Sequence, residues 1–194
     1  MTQAEPIRET DDELSLAVAA ARAGHDEGFR TLYRIVQPGL LRYLKALVGA
    51  DAEDVASETW LQVVRDLQSF NGDGEAFRRW AVTIGRHRAM DHLRRNQRRP
   101  SIAMPVEALT ELTGGDDTAA AAIETLTTDG ALAMIASLPQ DQAEAVLLRV
   151  VVGLDANSAA QVLGKRSGAV RTAAYRGLKR LAERLNGRDN GHGG

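Results

Sequence analysis

Apolar residues in this chain recur three and four positions apart and nowhere alternate, a spacing that builds helices and leaves no credible strand. Between Phe29 and Val48 they stand at Phe29, Leu32, Tyr33, Val36, Leu40, Leu41, Leu44 and Leu47–Val48. Pro38 falls inside that pattern, where a missing N–H predicts a kink or break. A shorter pattern, Leu14 to Ala23, precedes it. Asp51-Ala-Glu-Asp54 then opens another helix, because carboxylates in a first turn meet free amides and the positive end of the macrodipole. Its apolar positions Val55, Trp60, Leu61, Val63, Val64 and Leu67 carry it to about Gln68. Phe70-Asn-Gly-Asp-Gly74 is a strong turn signal, and a long helix is expected from Glu75 to about Asn96, with Phe77, Trp80, Ala81 and Ile84 on one face. From Pro100 to about Thr128 the periodicity fades through two prolines, Gly114-Gly115 and a run of alanines, which reads as a linker ending in one short helix. It resumes over Leu132–Leu138, Gln142–Val152, Leu154–Leu163 and Ser167–Leu185, with Gly153 and Gly164 as breaks. Val150-Val151-Val152, the one β-like run, reads as the end of a helix. The fold class is therefore all-α: two small helical domains joined by a flexible linker. The expected division is 1–99, a linker over 100–128, a second domain over 129–186, and a disordered tail over 187–194.

Total charge says little, since the formal net charge is −2. Its placement says more. Arg78 to Arg99 holds eight arginines against Asp91 alone, a local +7, and Lys165 to Arg188 holds eight Lys and Arg against Glu183 alone, again +7. Ser101 to Leu148 carries eight acids and no Lys or Arg. Two basic segments across an acidic spacer suit a bipartite binder of a polyanion; solvated helix faces are the plain alternative for either block alone.

The last two helices sharpen this. A short helix, a Gly-containing turn and a longer basic helix form the helix-turn-helix arrangement, whose second helix enters the DNA major groove. Leu154, Ala159, Ala160, Val162, Leu163, Ala169, Val170, Ala174, Leu178 and Leu181 are expected to pack it down. Lys165, Arg171, Thr172, Tyr175, Arg176 and Lys179 remain outside, offering guanidinium to guanine edges, hydroxyls to base or phosphate, and charge to the backbone. An αα-hairpin with a basic solvent face is the competing reading.

Leu138-Pro-Gln-Asp-Gln-Ala-Glu-Ala-Val-Leu-Leu148-Arg149, Gly153-Leu154, Ala159-Ala160-Gln-Val-Leu-Gly164, Gly168-Ala-Val-Arg171 and Tyr175-Arg-Gly-Leu-Lys-Arg-Leu181 resemble the fourth domain of extracytoplasmic-function (ECF) sigma factors. Asp51-Ala-Glu-Asp54-Val55 with Glu58-Thr59-Trp60 resembles the helix that such factors dock on the polymerase clamp. Phe77-Arg-Arg-Trp80 through Ile84, then Asp91-His92-Leu93-Arg94-Arg95, resembles the helix that reads and opens the −10 element. The resemblance spans about residues 14–99 and 129–185, in the family's order. It implies core RNA polymerase and promoter DNA as partners, an anti-sigma protein as restraint, and polymerase contacts through Asp51, Asp54, Glu58, Thr59 and Gln62. Ser69, Phe70 and Asn71 would hold an extruded base of the −10 element, whose unstacking costs a few kcal/mol. Arg78, Arg79, Arg86, Arg88, Arg94 and Arg95 would offset that cost along the backbone, while the C-terminal helix reads the −35 element. The family usually has Gln at Ser57, Asn at His87, an apolar residue at Lys165 and an acid near Ser167; these departures bear on promoter sequence and affinity.

Enzymatic readings find no support. The chain has no cysteine, which removes disulfides and thiolate metal sites. His25, His87, His92 and His192 lack metal-ligand spacing, and no phosphate loop, catalytic dyad or nucleophile motif occurs; no cofactor is expected. The acidic N-terminus and the lack of any run of about 20 apolar residues argue against secretion and membrane insertion, so a cytoplasmic setting is expected. A stand-alone helix-turn-helix regulator and a helical interaction module remain as alternatives.

Overall fold

In a computed structural model, residues 5–98 and 119–189 are described; Arg99, most of the expected linker and the last five residues lie outside them. Four helices form the first unit: α1 (Glu5–Arg22), α2 (Asp26–Val48), α3 (Ala52–Asp66) and α4 (Gly74–Arg98), with 3-10 turns at Gly49–Asp51 and Leu67–Ser69. Leu32, Val36, Leu40 and Leu44 repeat every fourth residue down α2 and are all buried. They meet Leu14 and Val18 of α1, Val63 of α3, and Phe77, Ala81 and Val82 of α4 in one core. The α1–α2 turn is set by Gly24 at φ +87°, and α2 then returns so close to α1 that a Cβ at Gly28 would stand 2.5 Å from the Ala21 amide nitrogen.

Helix α2 passes through Pro38 without a break. Pro38 is exposed, so water can satisfy the carbonyl that its missing N–H leaves unpaired, and Arg42 Nε donates to the Pro38 carbonyl at 3.0 Å. The buried four-residue repeat on the opposite side holds the helix together.

The second unit comprises α5 (Ala119–Ala136), α6 (Gln140–Val146), α7 (Ala156–Leu163) and α8 (Ser167–Asp189). Helix α5 begins thirteen residues before the expected Leu132, because the alanine run Ala119–Ala122 has the highest helix propensity available. At the other end α8 continues four residues past Leu185; a single interior Gly187 costs only about 1 kcal/mol, too little to stop a long helix. The three valines do close a helix, through a π-helical turn over Leu147–Val151. Asp155 caps α7 by accepting from the Ser158 N–H at 2.6 Å. Gly164, left-handed at φ 63°, ψ 34°, ends it, and the Lys165 N–H donates back to the Ala160 carbonyl at 2.9 Å, the hydrogen-bond pattern of a Schellman stop.

The two units are in contact: α7 lies against α4, while α5 and the π turn lie against α2. Among the described residues there is no strand, and no helix is long and apolar enough to cross a membrane.

Candidate nucleic-acid interface

Between α3 and α4 the chain turns through a short loop fixed at both ends. The Ser69 hydroxyl donates to the Asp66 carbonyl at 2.8 Å, Asp73 Oδ1 caps the Ala76 N–H at 2.8 Å, and the Gly74 N–H donates to Ser15 Oγ on α1 at 2.8 Å. Phe70 turns inward. Its ring stacks on Trp80 with centroids 4.9 Å apart and 29° between planes, and meets Phe77 edge-on at 5.6 Å. The result is a cleft of about 590 Å³ floored by Phe70 and Trp80, walled by Ser69, Asn71, Arg79 and Thr83, and reached also by Gln161 of α7. Ser69, Phe70 and Asn71 all line it, Phe70 through a ring that packs under the loop against the core. Trp80 and Thr83 were missed: Trp80 reads as a core residue because it shares the apolar spacing of Phe77 and Ile84, and nothing in the spacing says that its outer edge is wet.

The six predicted arginines of α4 do not form one patch. Arg79 lines the cleft. Arg78 is buried and lies 2.9 Å from Asp11; burial pushes the Asp11 carboxyl above its ordinary value despite the opposing pull of Arg78. Arg86 reaches Glu144 of α6 at 3.2 Å. Arg88 donates to Gln62 Oε1 at 2.8 Å and stands 4.0 Å from Glu58. Arg94 pairs with Asp91 at 2.9 Å, and Arg95 is exposed.

Of the five residues expected to meet polymerase, Asp54 and Glu58 are exposed on one face of α3. Gln62 is half-buried and engaged with Arg88. Thr59 is fully buried, its hydroxyl donating to the Val55 carbonyl at 2.7 Å, and Asp51 Oδ2 lies 2.8 Å from His92 Nε2. Leu61 and Val64, expected as apolar packing positions, are 66% and 53% exposed; Leu61 follows Glu58 by three residues and shares its face, while Val64 lines a groove with Phe29 and Leu67. The signal was present: so many apolar residues on a short helix cannot share one buried stripe.

On α8 the five residues Arg171, Thr172, Tyr175, Arg176 and Lys179 are all exposed, spaced so that Arg171 and Tyr175, and Thr172, Arg176 and Lys179, run along one side. Lys165 is exposed in the turn before it. Val170, Ala174 and Leu181 are buried beneath. Ala169 is exposed and Leu178 is 45% exposed, so two expected packing positions face outward; they flank the basic stripe instead of seating it.

Comparison with known proteins finds two matching families. The family described as Sigma-70 region 2 matches residues 32–99, and Sigma-70, region 4 matches residues 129–181. The ECF RNA polymerase sigma factor BldN of Streptomyces coelicolor is 33% identical over 172 residues, covering 87% of this chain, which spans 64% of BldN's length. The ECF RNA polymerase sigma factor SigD of Mycobacterium tuberculosis is 33% identical over 181 residues, covering 90% of this chain and 84% of SigD. In fold, the chain is similar to CnrH in complex with the cytosolic domain of CnrY, with a TM-score of 0.63 at 22% identity over 91% of this chain and 99% of that one. It is also similar to the sigma factor RpoE in complex with the anti-sigma factor NepR from Bartonella quintana, with a TM-score of 0.60 at 22% identity over 81% and 96%. With both sigma regions present in order and a relative 33% identical across 90% of this chain, the chain belongs to the ECF sigma factors of RNA polymerase.

Proposed function

We propose a division of labour for this sigma factor, in which residues 1–99 dock on core polymerase and hold the opened −10 element while residues 129–186 read the −35 element as duplex. The observation that carries this reading is the pairing, in one chain, of an aromatic-floored cleft with a capped helix-turn-helix whose second helix turns its basic stripe to solvent. A base drawn from the duplex needs a π surface and nearby cations; Trp80 over Phe70 supplies the first and Arg79 the second. Major-groove reading needs an exposed helix with guanidinium and hydroxyl groups, and Arg171, Thr172, Tyr175, Arg176 and Lys179 supply it, with Lys165 placed for a phosphate.

Polymerase docking falls to the outer face of α3, where Leu61 stands on the same side as Asp54 and Glu58. A DNA-only regulator would give this mixed acidic and apolar face no task. The chain works without catalytic groups or cofactor of its own, in the cytoplasm where polymerase acts, and an anti-sigma protein of the kind bound to the RpoE relative is its expected restraint. Run-off transcription with core enzyme on a set of genomic promoter fragments tests the reading. Initiation that depends on this chain is expected; binding to duplex without comigration with core polymerase would replace it with the stand-alone regulator.

A further inference from the structure

Asp66 puts a carboxylate at the unfavourable pole of α3. A helix C-terminus favours cations and disfavours anions, and Asp66 is the last residue of that helix, so helix stability gives it no reason to be acidic. Nor does it neutralise a neighbour. Its carboxylate has one partner among the described residues, Gln62 Nε2, at 3.5 Å from Oδ2, near the limit of a hydrogen bond. Arg88 fixes the direction of that amide. A guanidinium only donates, and Arg88 Nε and Nη2 reach Gln62 Oε1 at 3.2 and 2.8 Å, which leaves Nε2 for Asp66. The half-buried carboxylate is thus oriented from one side and short of donors.

Asp66 and Arg79 line the base cleft together. They carry opposite charges and do not pair with each other, and Arg79 meets no other carboxylate among the described residues. An acceptor and a donor are therefore held apart around the floor of Phe70 and Trp80. The hydroxyls in the wall add to the acceptor side: Ser69 already donates to the Asp66 carbonyl and Thr83 to the Arg79 carbonyl, both at 2.8 Å, so each is left to accept from a ligand. Asn71 and Gln161 end in amides, which offer donor and acceptor alike.

Bases differ in what they show such a wall. Cytosine, adenine and guanine each carry an exocyclic amino group, whereas thymine carries carbonyl oxygens and no amino group. A carboxylate only accepts. Beside a thymine carbonyl it meets a second acceptor, and both give up water with no hydrogen bond in return.

We propose that Asp66 is a specificity-determining residue of the cleft: it selects an extruded base that bears an exocyclic amino group and rejects thymine, while Arg79 holds an acceptor of the same base. The inference rests on the cleft reading above and names the ligand chemistry of that site.

Deoxycytidine and deoxyuridine isolate the contrast, because they match in size and a carbonyl replaces the amino group. The template is a promoter on which the holoenzyme initiates, opened in advance by mismatches across the −10 element so that a base change does not alter duplex melting. Each −10 position of either strand carries dC or dU in turn, and competition binding to the holoenzyme is read. At one position the wild type should prefer dC by about tenfold. Asp66→Asn, whose amide can donate to the uracil carbonyl, should bring that preference to within about twofold, with core affinity and the preferences at other positions as in the wild type. The absence of any position with a dC preference, or a preference that survives Asp66→Asn, would overturn the proposal. Arg79→Ala separates this from the reading beneath it. If that change leaves binding of every opened template intact, the cleft holds no base and both readings fall. If it weakens binding while Asp66→Asn leaves the dC preference unchanged, only the role of Asp66 falls.

Discussion

Asp155 holds the start of α7, and its chemistry sets a pH dependence. The Ser158 N–H donates to its side chain, which holds the carboxyl below its ordinary value of 3.8. A carboxyl depressed on folding stabilises the native state above the unfolded pKa, and that contribution is lost as pH falls through the folded value. Asp155→Ala should therefore cost about 1 kcal/mol at neutral pH, and Asp155→Asn much less. Denaturant titrations should show the gap between wild type and Asp155→Ala shrinking once the pH drops below the ordinary carboxylate range; a gap that persists there would assign the loss to something other than the charged cap. On α8, Arg171→Ala or Arg176→Ala should lose about 1–3 kcal/mol of discrimination between the −35 sequence and a scrambled duplex if the side chain meets a base edge. Competition binding with the two duplexes reads this, and equal losses on both would make that arginine a backbone contact. At this scale the exposed basic positions of α8 were legible from the spacing, although Ala169 and Leu178, expected inside, face out. The partners of α4 were not. Arg78 meets Asp11 from 67 positions away and Arg86 meets Glu144 from 58, and no local pattern encodes such pairings.

Helix existence was written plainly in the three-and-four spacing, and so was the helix-turn-helix, since an acidic cap before α7 and Gly164 after it are local signals. What spacing could not say was how far each helix runs and which of several apolar residues faces out. Helix α2 shows the first point, where a buried stripe outweighs Pro38. Helix α3 shows the second. Val55, Trp60 and Val63 are buried while Leu61 and Val64 are not, a choice made by where α2 and α4 lie. That outward face gives a sharp expectation. Glu58→Lys or Leu61→Glu should weaken binding to core polymerase while changing the stability of the free protein by no more than about 0.5 kcal/mol, the usual range for exposed positions, and Asp54→Lys should do the same at a cost of about 1 kcal/mol for its first-turn charge. Core affinity that survives all these changes would move the docking surface off α3.

For the whole molecule, the sequence located two basic blocks and the acidic stretch between them, but not what the acids do. Residues 101–118 of that stretch lie outside the described residues. The acid that does meet α4 is Glu144, within α6. The distinction is measurable. Salt screens exposed charges and acts much less on buried ones, so a unit held by Arg86 and Glu144 should stay compact in scattering up to about 0.5 M salt. Its radius of gyration should lie near the value of about 16 Å typical of a compact chain of this length, and Glu144→Lys should enlarge it at any salt. Expansion of the wild-type particle by salt alone would point to exposed acids and away from the buried pair.

The pairing of arginines inside α4 also changes how this protein should feel the ions around DNA. A cation that already faces a carboxylate displaces few counterions when it reaches a phosphate. Arg78, Arg86, Arg88 and Arg94 are so engaged, whereas Lys165, Arg166, Arg171 and Arg176 point to solvent around the start of α8. Each phosphate neutralised contributes about −0.9 to the slope of log affinity against log salt. The two blocks that look equal as +7 on paper should thus contribute unequally, with the four cations around the start of α8 giving nonspecific duplex binding a slope of roughly −4 and the α4 block adding less.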